Sequence, residues 1–459
     1  MQQGERTQDN QLVLSFYGDD FTGSTDAMES LTINGLPTVL FLDVPSQSML
    51  ERFPHVKCIG IAGDSRVMSP EQMQAELPDI FKRLKELRSH FVHYKVCSTF
   101  DSSKDIGNIA TVVNISKDIF GELSWVPVLV AAPDLQRYTV FGNHFAAMNG
   151  ETYRLDRHPT MSHHPITPMS EADLREVLKE QGAKETAGIN LVELQQPLDA
   201  LFQTLNVKLS KQPEVVLFDS ASKADVEKVG LLLEKVREPK EPLFLIGSSG
   251  VGHAISAVAK DKQAMASQSP VKPTKRDRLL VVSGSCSPVT QKQLEWAMNH
   301  GFEGIHLTLE EVMAAKKDEQ AKRQLVEKAC QTIRDGKDLV MFTALGPDDP
   351  SIARNQQKML ENGLPISETS KILGSYLGEL AKLVIQETGI ERLVVAGGDT
   401  SSYATKELGI YALEMITSIS PGAPLCRCYS DDDSIDGLEL ALKGGQFGQD
   451  DYFAEVKDI

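Results

Sequence analysis

Short apolar runs bounded by glycine or polar residues recur along this chain, separated by stretches in which apolar side chains repeat every three to four positions. The runs read as buried strands and the periodic stretches as amphipathic helices. The pattern predicts strands over 12–16, 56–62, 91–97, 126–131, 188–194, 215–219 and 243–246. Helices are predicted over 24–34, 71–88 with a kink at Pro78, 109–120, 171–181, 197–209 and 224–236. Alternation of this kind signals a mostly parallel sheet wrapped by helices. Residues 141–168 interrupt it: FGNHFAAMNGETYRLDRHPTMSHHPITP has no period, and so long an aperiodic segment inside a domain reads as a functional loop or lid.

A polar stretch with two prolines, 259–278, marks a shift in composition and reads as a linker. Beyond it the pattern restarts, with strands over 279–282, 304–308, 339–343 and 392–395 and helices over 290–300, 319–335 and 370–389. The glycine-rich end, 416–426 and 438–453, reads as short strands and turns. With 459 residues the chain exceeds what one hydrophobic core serves. The expectation is therefore an α/β protein of two domains, each a mostly parallel sheet flanked by helices: residues 1–260, a linker 261–277, and residues 278–459.

Charge narrows the class of partner. A net charge of −17 argues against a nucleic-acid or anionic-membrane surface, so any anionic ligand must meet local cations. The polar start MQQGERTQDNQ lacks the apolar core of a signal peptide and no apolar run is long enough to span a bilayer, which makes a cytoplasmic protein the expectation. The six cysteines are scattered, and Cys426 and Cys428 form a C-x-C with no second half, so neither a zinc site nor a disulfide framework is indicated. His158, His163 and His164 lack a Cys or carboxylate at a metal-binding spacing and read as part of the covering loop.

The chemistry gathers at strand ends. LVLSFYGDDFTGSTD places Asp19 and Asp20 at the carboxyl end of the first strand, just before a helix, on the sheet edge where α/β proteins bind ligands. Asp at this position is also a common helix cap, so a purely structural role competes with the functional one. Four further strand ends carry glycine and small polar residues: Gly63-Asp64-Ser65-Arg66, Gly247-Ser248-Ser249-Gly250, Ser283-Gly284-Ser285-Cys286-Ser287 and Gly397-Gly398-Asp399-Thr400-Ser401-Ser402; a fifth, Ser98-Thr99-Phe100-Asp101-Ser102, is polar without glycine. Glycine lets a backbone approach phosphate, and a helix N-terminus supplies free N–H groups. Neither a Walker A sequence nor G-x-G-x-x-G occurs, which disfavours P-loop enzymes and ordinary dinucleotide dehydrogenases. Arg66 offers a fork for a carboxylate and Lys95 a compact charge, unless both are merely surface ion pairs.

Taken together and in order, GDDFTGSTD, GDSR, the YKVCST run, SGSCSPVT, VVAGGDTSSYA, PGAPLC and KGGQFGQDDYF resemble the four-carbon acid sugar kinase family, over roughly 12–453. The resemblance implies ATP-dependent phosphorylation of the terminal hydroxyl of a C4 sugar acid of the threonate, erythronate or 3-oxo-tetronate type. It also implies an N-terminal domain that binds the acid, a C-terminal domain that binds the nucleotide, and an active site in the interdomain cleft. On that basis Asp19 or Asp20 is the substrate-binding aspartate and the base, with Arg66, Lys95, Cys97 and Ser98 also on the substrate. Ser283, Gly397, Gly398, Asp399, Thr400 and Gly445 match ATP-contacting positions, Ser285 joins them from the same loop, and Asp399 is expected to act through Mg²⁺. Cys97 stands where the family commonly has aspartate, which points to altered acid specificity. A kinase for another small hydroxy acid and a non-catalytic ATP- or sugar-acid-binding protein are the alternatives; a homodimer is also an expectation.

Overall fold

Five consecutive buried residues, Leu14–Gly18, form the strand about which the first part of the chain is arranged. The computed structural model describes residues 11–121, 125–148, 150–164, 166–262 and 273–459, which fall into two compact units, 11–262 and 273–459.

In the first unit the described strands form a parallel sheet in the order Thr38–Phe41, Cys58–Ala62, Leu14–Gly18, Phe91–Lys95, Leu243–Gly247, Val126–Leu129, Val215–Phe218, Thr186–Ile189. The chain leaves Leu14–Gly18, lays its next two strands on one side, then crosses to place Phe91–Lys95 on the other. Loops after Leu14–Gly18 and Phe91–Lys95 therefore diverge over opposite faces, and the crevice between them is the ligand position of an open α/β sheet. The strands are apolar on both faces because helices cover both, as in Ile109–Phe120, whose buried face carries Val112, Val113, Ile115 and Phe120 and whose cap is Asn108, accepting from the Thr111 N–H.

The second unit repeats the plan. Parallel strands run in the order Glu303–His306, Leu339–Phe342, Leu280–Ser283, Arg392–Ala396, Glu439–Lys443, with the reversal between Leu280–Ser283 and Arg392–Ala396. Its core joins Val281, Val340, Val394 and Ala441 to Tyr452, Phe453 and Val456 of the C-terminal helix Tyr452–Asp458.

Several expectations are corrected. Residues 141–168 are not a structureless lid: with Arg137–Val140 they form a three-stranded antiparallel sheet, completed by Asn143–Met148 and Glu151–Arg154, followed by short 3-10 turns. Its alternation was hidden because both faces carry polar side chains. The strand expected over 188–194 ends at Ile189, since Asn190 and Glu193 form a capping box that starts the turn Leu191–Leu194. The glycine-rich end contains a long antiparallel hairpin, Ile410–Ser420 with Ala423–Ser430, whose register shifts at bulges break the two-residue period. The helix expected over 71–88 spans Pro70–Glu86, with Pro78 inside it. The expected linker loses its first residues to helix Gly250–Lys262; its middle, 263–272, lies outside the described residues; and its last part is tied to the second unit, Arg276 donating to Glu439.

Arg392 shows what holds that unit's base. Fully buried, it donates to Glu439 at 2.8 Å, to the carbonyls of Val456 at 2.6 Å and Ile459 at 3.0 Å, and to that of Thr274 at 2.9 Å, tying three chain segments together. Arg392→Leu takes this donor from the Val456, Ile459 and Thr274 carbonyls and leaves Glu439 with Arg276 alone, so urea unfolding of this unit should lose about 3–5 kcal/mol, the range for breaking a buried charged network. A loss under about 1 kcal/mol would show that the C-terminal helix docks without it.

Candidate functional site

The first site is assembled from three neighbouring strand ends. Asp19 donates its N–H to the Lys95 carbonyl at 2.9 Å, and Arg66, in the 3-10 turn Ser65–Val67, donates its N–H to the Asp19 carbonyl at 2.9 Å. Gly18 allows the tight turn, because a Cβ there would meet Ser24 Oγ at 1.9 Å. Asp20 then caps helix Phe21–Ile33, accepting from the Gly23 N–H at 2.8 Å.

Arg66 lies between the two acids. Nε and Nη2 donate to Asp19 at 3.2 and 2.8 Å, and Nη1 and Nη2 to Asp20 at 2.9 and 2.8 Å. Four of the guanidinium's five N–H groups are thus spent inside the protein. An incoming carboxylate meets one remaining N–H rather than the open fork expected from the sequence. Asp19 is almost fully enclosed, its side chain 4% exposed against 27% for Asp20. Burial raises the Asp19 pKa to about 6; Arg66 opposes the rise and the neighbouring Asp20 charge adds to it. Lys95 is no surface pair either: buried, it donates to the Val96 carbonyl at 3.1 Å and sits 3.6 Å from Asp26.

Cys97 follows the same strand. Its Sγ lies 3.0 Å from Thr99 Oγ1, which donates to Asp101 at 2.6 Å, so the thiol is the donor to Thr99. Burial first, then Asp101, pushes the Cys97 pKa up to about 12, leaving it a neutral thiol. Ser98 accepts at its carbonyl from His144 Nε2 at 2.8 Å. Burial lowers the His144 pKa to about 4, so the ring is neutral, with its proton on Nε2 and Nδ1 accepting from Thr139 at 3.0 Å. The three-stranded sheet is fastened to the loop after Phe91–Lys95 through this ring.

Sequence reasoning missed Arg137, Asp101 and His144. Arg137 Nη1 donates to the Leu135 and Ala147 carbonyls, its buried Nε has no partner, and it feels the Cys97 and Asp101 groups. Asp101 lay within a noted motif; Arg137 and His144 lay in or beside the segment read as aperiodic. The expected histidine loop is built from turns: His158 Nδ1 accepts from the Thr160 and Met161 N–H groups, and His164 Nδ1 from that of Thr167. Among the described residues no His, Cys, Asp and Glu cluster suited to a metal occurs.

The second site lies at the reversal of the second sheet, where a cavity of about 480 Å³ is lined by Gly284, Ser285, Gly397, Asp399, Thr400 and Gly445 among others. Gly397 holds φ at 120°, open to glycine alone at little cost, and gives helix Gly398–Leu408 no side-chain cap, leaving its first N–H groups for a ligand. The neighbouring helix Pro288–Asn299 is capped by Ser287, which accepts from the Thr290 N–H at 3.0 Å. Beside the cavity, the buried hydroxyls of Ser283 and Ser401 have no hydrogen-bond partner. Asp399 has no ion pair or hydrogen bond among the described residues. These vacancies fit a polyphosphate and its cation. The Gly247–Gly250 loop has a steric reason instead: a Cβ on Gly250 would meet the Ala131 carbonyl at 2.0 Å.

A ligand crevice at the reversal of each sheet, one lined by paired carboxylates and one by an uncapped helix, is the layout of a two-substrate transferase. Residues 14–255 match the family model described as a sugar-binding N-terminal domain and residues 280–453 that of a nucleotide-binding C-terminal domain. The chain is 39% identical to the 3-oxo-isoapionate kinase of Paraburkholderia graminis, over 97% of this chain and 94% of that protein. It is 28% identical to the 3-oxo-tetronate kinase of Pectobacterium atrosepticum, over 97% and 99% of the two chains. A solved Salmonella typhimurium protein shares the fold, with a TM-score of 0.78 at 24% identity over 96% of this chain and 98% of that one. This chain belongs to the four-carbon acid sugar kinase family.

Three substitutions test the geometry. Arg66→Leu leaves adjacent carboxylates without their cation and should destabilise the first unit by about 3 kcal/mol at pH 7.5. The loss should shrink at pH 5, because proton uptake by the pair then relieves the repulsion; urea unfolding at both pH values that gave equal losses would contradict this. Asp399→Asn should leave ATP affinity within about threefold while raising the Mg²⁺ needed for turnover, whereas Gly397→Val, forced into positive φ, should abolish nucleotide binding in calorimetry.

Proposed function

We propose that this protein transfers the terminal phosphoryl group of ATP to a hydroxyl of a 3-oxo sugar acid, of the 3-oxo-isoapionate type in preference to the 3-oxo-tetronate type. The observation that carries the reading is the 39% identity to a 3-oxo-isoapionate kinase along 97% of the chain. Cys97 supports the choice of acid, since a neutral thiol neither carries an aspartate's charge nor accepts as strongly from a substrate hydroxyl.

In this reading Asp20 takes the acceptor's proton late in transfer, being the more exposed of the pair. Asp19 and Arg66 hold it in place. Arg137, Ser98 and the last N–H of Arg66 receive the acid's carboxylate, and Asp101 takes over one hydroxyl that an aspartate at residue 97 would have held. The uncapped start of helix Gly398–Leu408, with Ser283, Ser285 and Gly445, cradles the phosphates. Asp399 would hold Mg²⁺ directly or through its waters, and the ion would supply charge neutralisation on the phosphates. An ATP-consuming enzyme of this kind works in the cytoplasm; among the described residues no helix is long and apolar enough to cross a membrane.

A coupled ADP-release assay over 3-oxo-isoapionate, 3-oxo-tetronates, threonate and erythronate tests the reading. The expected result is acid-dependent ADP release with kcat/KM for 3-oxo-isoapionate at least about tenfold above any C4 acid, a discrimination one pocket contact can supply. Cys97→Asp should narrow that ratio. Release that ignores the acid, or absence of turnover with every one, would sink the proposal. The acid limb of kcat/KM should fall as Asp19, which with Arg66 holds the base in place, takes up a proton near pH 6 and loosens that arrangement. The sign for stability is opposite: the folded value lies above the ordinary carboxylate value of 3.8, so this group's contribution to stability improves as pH falls from about 6 toward 4. Activity should therefore fall before circular dichroism registers unfolding.

A further inference from the structure

Lys443 ends the strand Glu439–Lys443 and is 1% exposed, yet no carboxylate lies within ion-pair distance of it among the described residues. Its Nζ donates to Thr290 Oγ1 at 3.0 Å and stands 5.9 Å from the centre of the Tyr452 ring. Those are its side-chain partners, from helix Pro288–Asn299 and helix Tyr452–Asp458, and Tyr452 is the titratable one. A buried ammonium is costly to keep unless an opposite charge comes to it. Elsewhere in the chain that charge is built in: Lys95 has Asp26, Arg392 has Glu439, and Arg66 has two aspartates.

The surroundings of Lys443 show where its counter-charge would arrive. Thr290 Oγ1, which receives the Lys443 proton, donates onward to the Gly445 carbonyl at 3.1 Å, and Ser287 Oγ donates to the same carbonyl. The Lys443 carbonyl accepts from the Gly397 N–H at 2.9 Å. Lys443 thus underlies both loops, Gly445 and Gly397, that line the second-site cavity.

We propose that Lys443 is the buried cation of the phosphate cradle, whose counter-charge is the nucleotide itself, so that nucleotide binding draws a proton from solvent onto this amine at mildly alkaline pH. The inference rests on the nucleotide reading of that cavity. In the free protein, burial alone lowers the Lys443 pKa to about 8, so the amine is partly neutral there. A phosphate nearby favours the ammonium and raises that value. The balance is simple: the neutral amine plus a buffer proton becomes the ammonium, and the buffer is left as its conjugate base.

Calorimetry of ADP binding in excess Mg²⁺, repeated at pH 8 in buffers of different ionisation enthalpy, reads the proton directly. The full-length protein should take up about half a proton per ADP, and its affinity should hold steady to about pH 7.5 and then fall toward tenfold per pH unit. K443M should bind with no proton uptake and with an affinity that no longer changes between pH 7 and 9.5, the two proteins converging at the alkaline end. Because the wild-type pH series needs no variant, a K443M that fails to fold does not rescue the idea. ADP binding without proton uptake, or a wild-type affinity flat across that range, overturns the role of Lys443 and leaves the nucleotide site standing. No ADP binding at any pH overturns both.

Discussion

Two carboxylates placed side by side at the end of a buried strand are tenable only with a cation between them, and in this protein that cation is Arg66. The constraint extends outward. For its guanidinium to lie between Asp19 and Asp20, Arg66 must sit in a tight turn after Cys58–Ala62, its N–H on the Asp19 carbonyl. Asp19 must in turn hang from the Lys95 carbonyl. Three strand ends are locked by this one charge arrangement. Its consequence is that the acids are preorganised and the arginine is nearly saturated, with one N–H left to meet anything from outside.

Both sheets reverse direction once, and the reversal makes a crevice in each. What fills the crevice is decided by how the following helix begins. Helix Phe21–Ile33 starts on Asp20, an anion that accepts from the Gly23 N–H, so a further anion is repelled there and a hydroxyl, which can donate, is suited. Helix Gly398–Leu408 starts on Gly397, which occupies nothing. One residue at the cap position therefore gives two crevices of the same architecture opposite preferences, one for a donor and one for an anion.

Much of this was legible in the chain because the buried parallel strands are nearly pure apolar runs: 91–97 and 215–219 were predicted within a residue or two of Phe91–Lys95 and Val215–Phe218. Legibility failed where a period was diluted. Thr38–Phe41 is too short to declare itself after Pro37, and the meander Arg137–Arg154 exposes polar groups on both faces, concealing Arg137 and His144. Asp19, Asp20 and Gly397 stood out because they fall at strand ends, although a cap role competed for the acids, and Asp20 is indeed a cap. The partner chosen by Arg66 was not visible, since a fork fits a substrate carboxylate and a pair of aspartates equally well, and contact across strands leaves no mark in local spacing.

A chain carrying −17 charges that handles anions poses an electrostatic puzzle, resolved by depth rather than by number. Exposed acids beyond about 10 Å are screened by salt, while a buried cation acts through a medium of low polarisability and dominates its own few ångströms. Arg66, Lys95, Arg392 and Lys443 are enclosed or nearly so, and three of them are neutralised by acids of the same unit. Paired cations fix geometry and attract little from outside. The unpaired one, Lys443, lies beneath the glycine loops of the second unit, its Nζ on Thr290 and its carbonyl receiving the Gly397 N–H, so its charge is the one not already spent on an acid of the same unit.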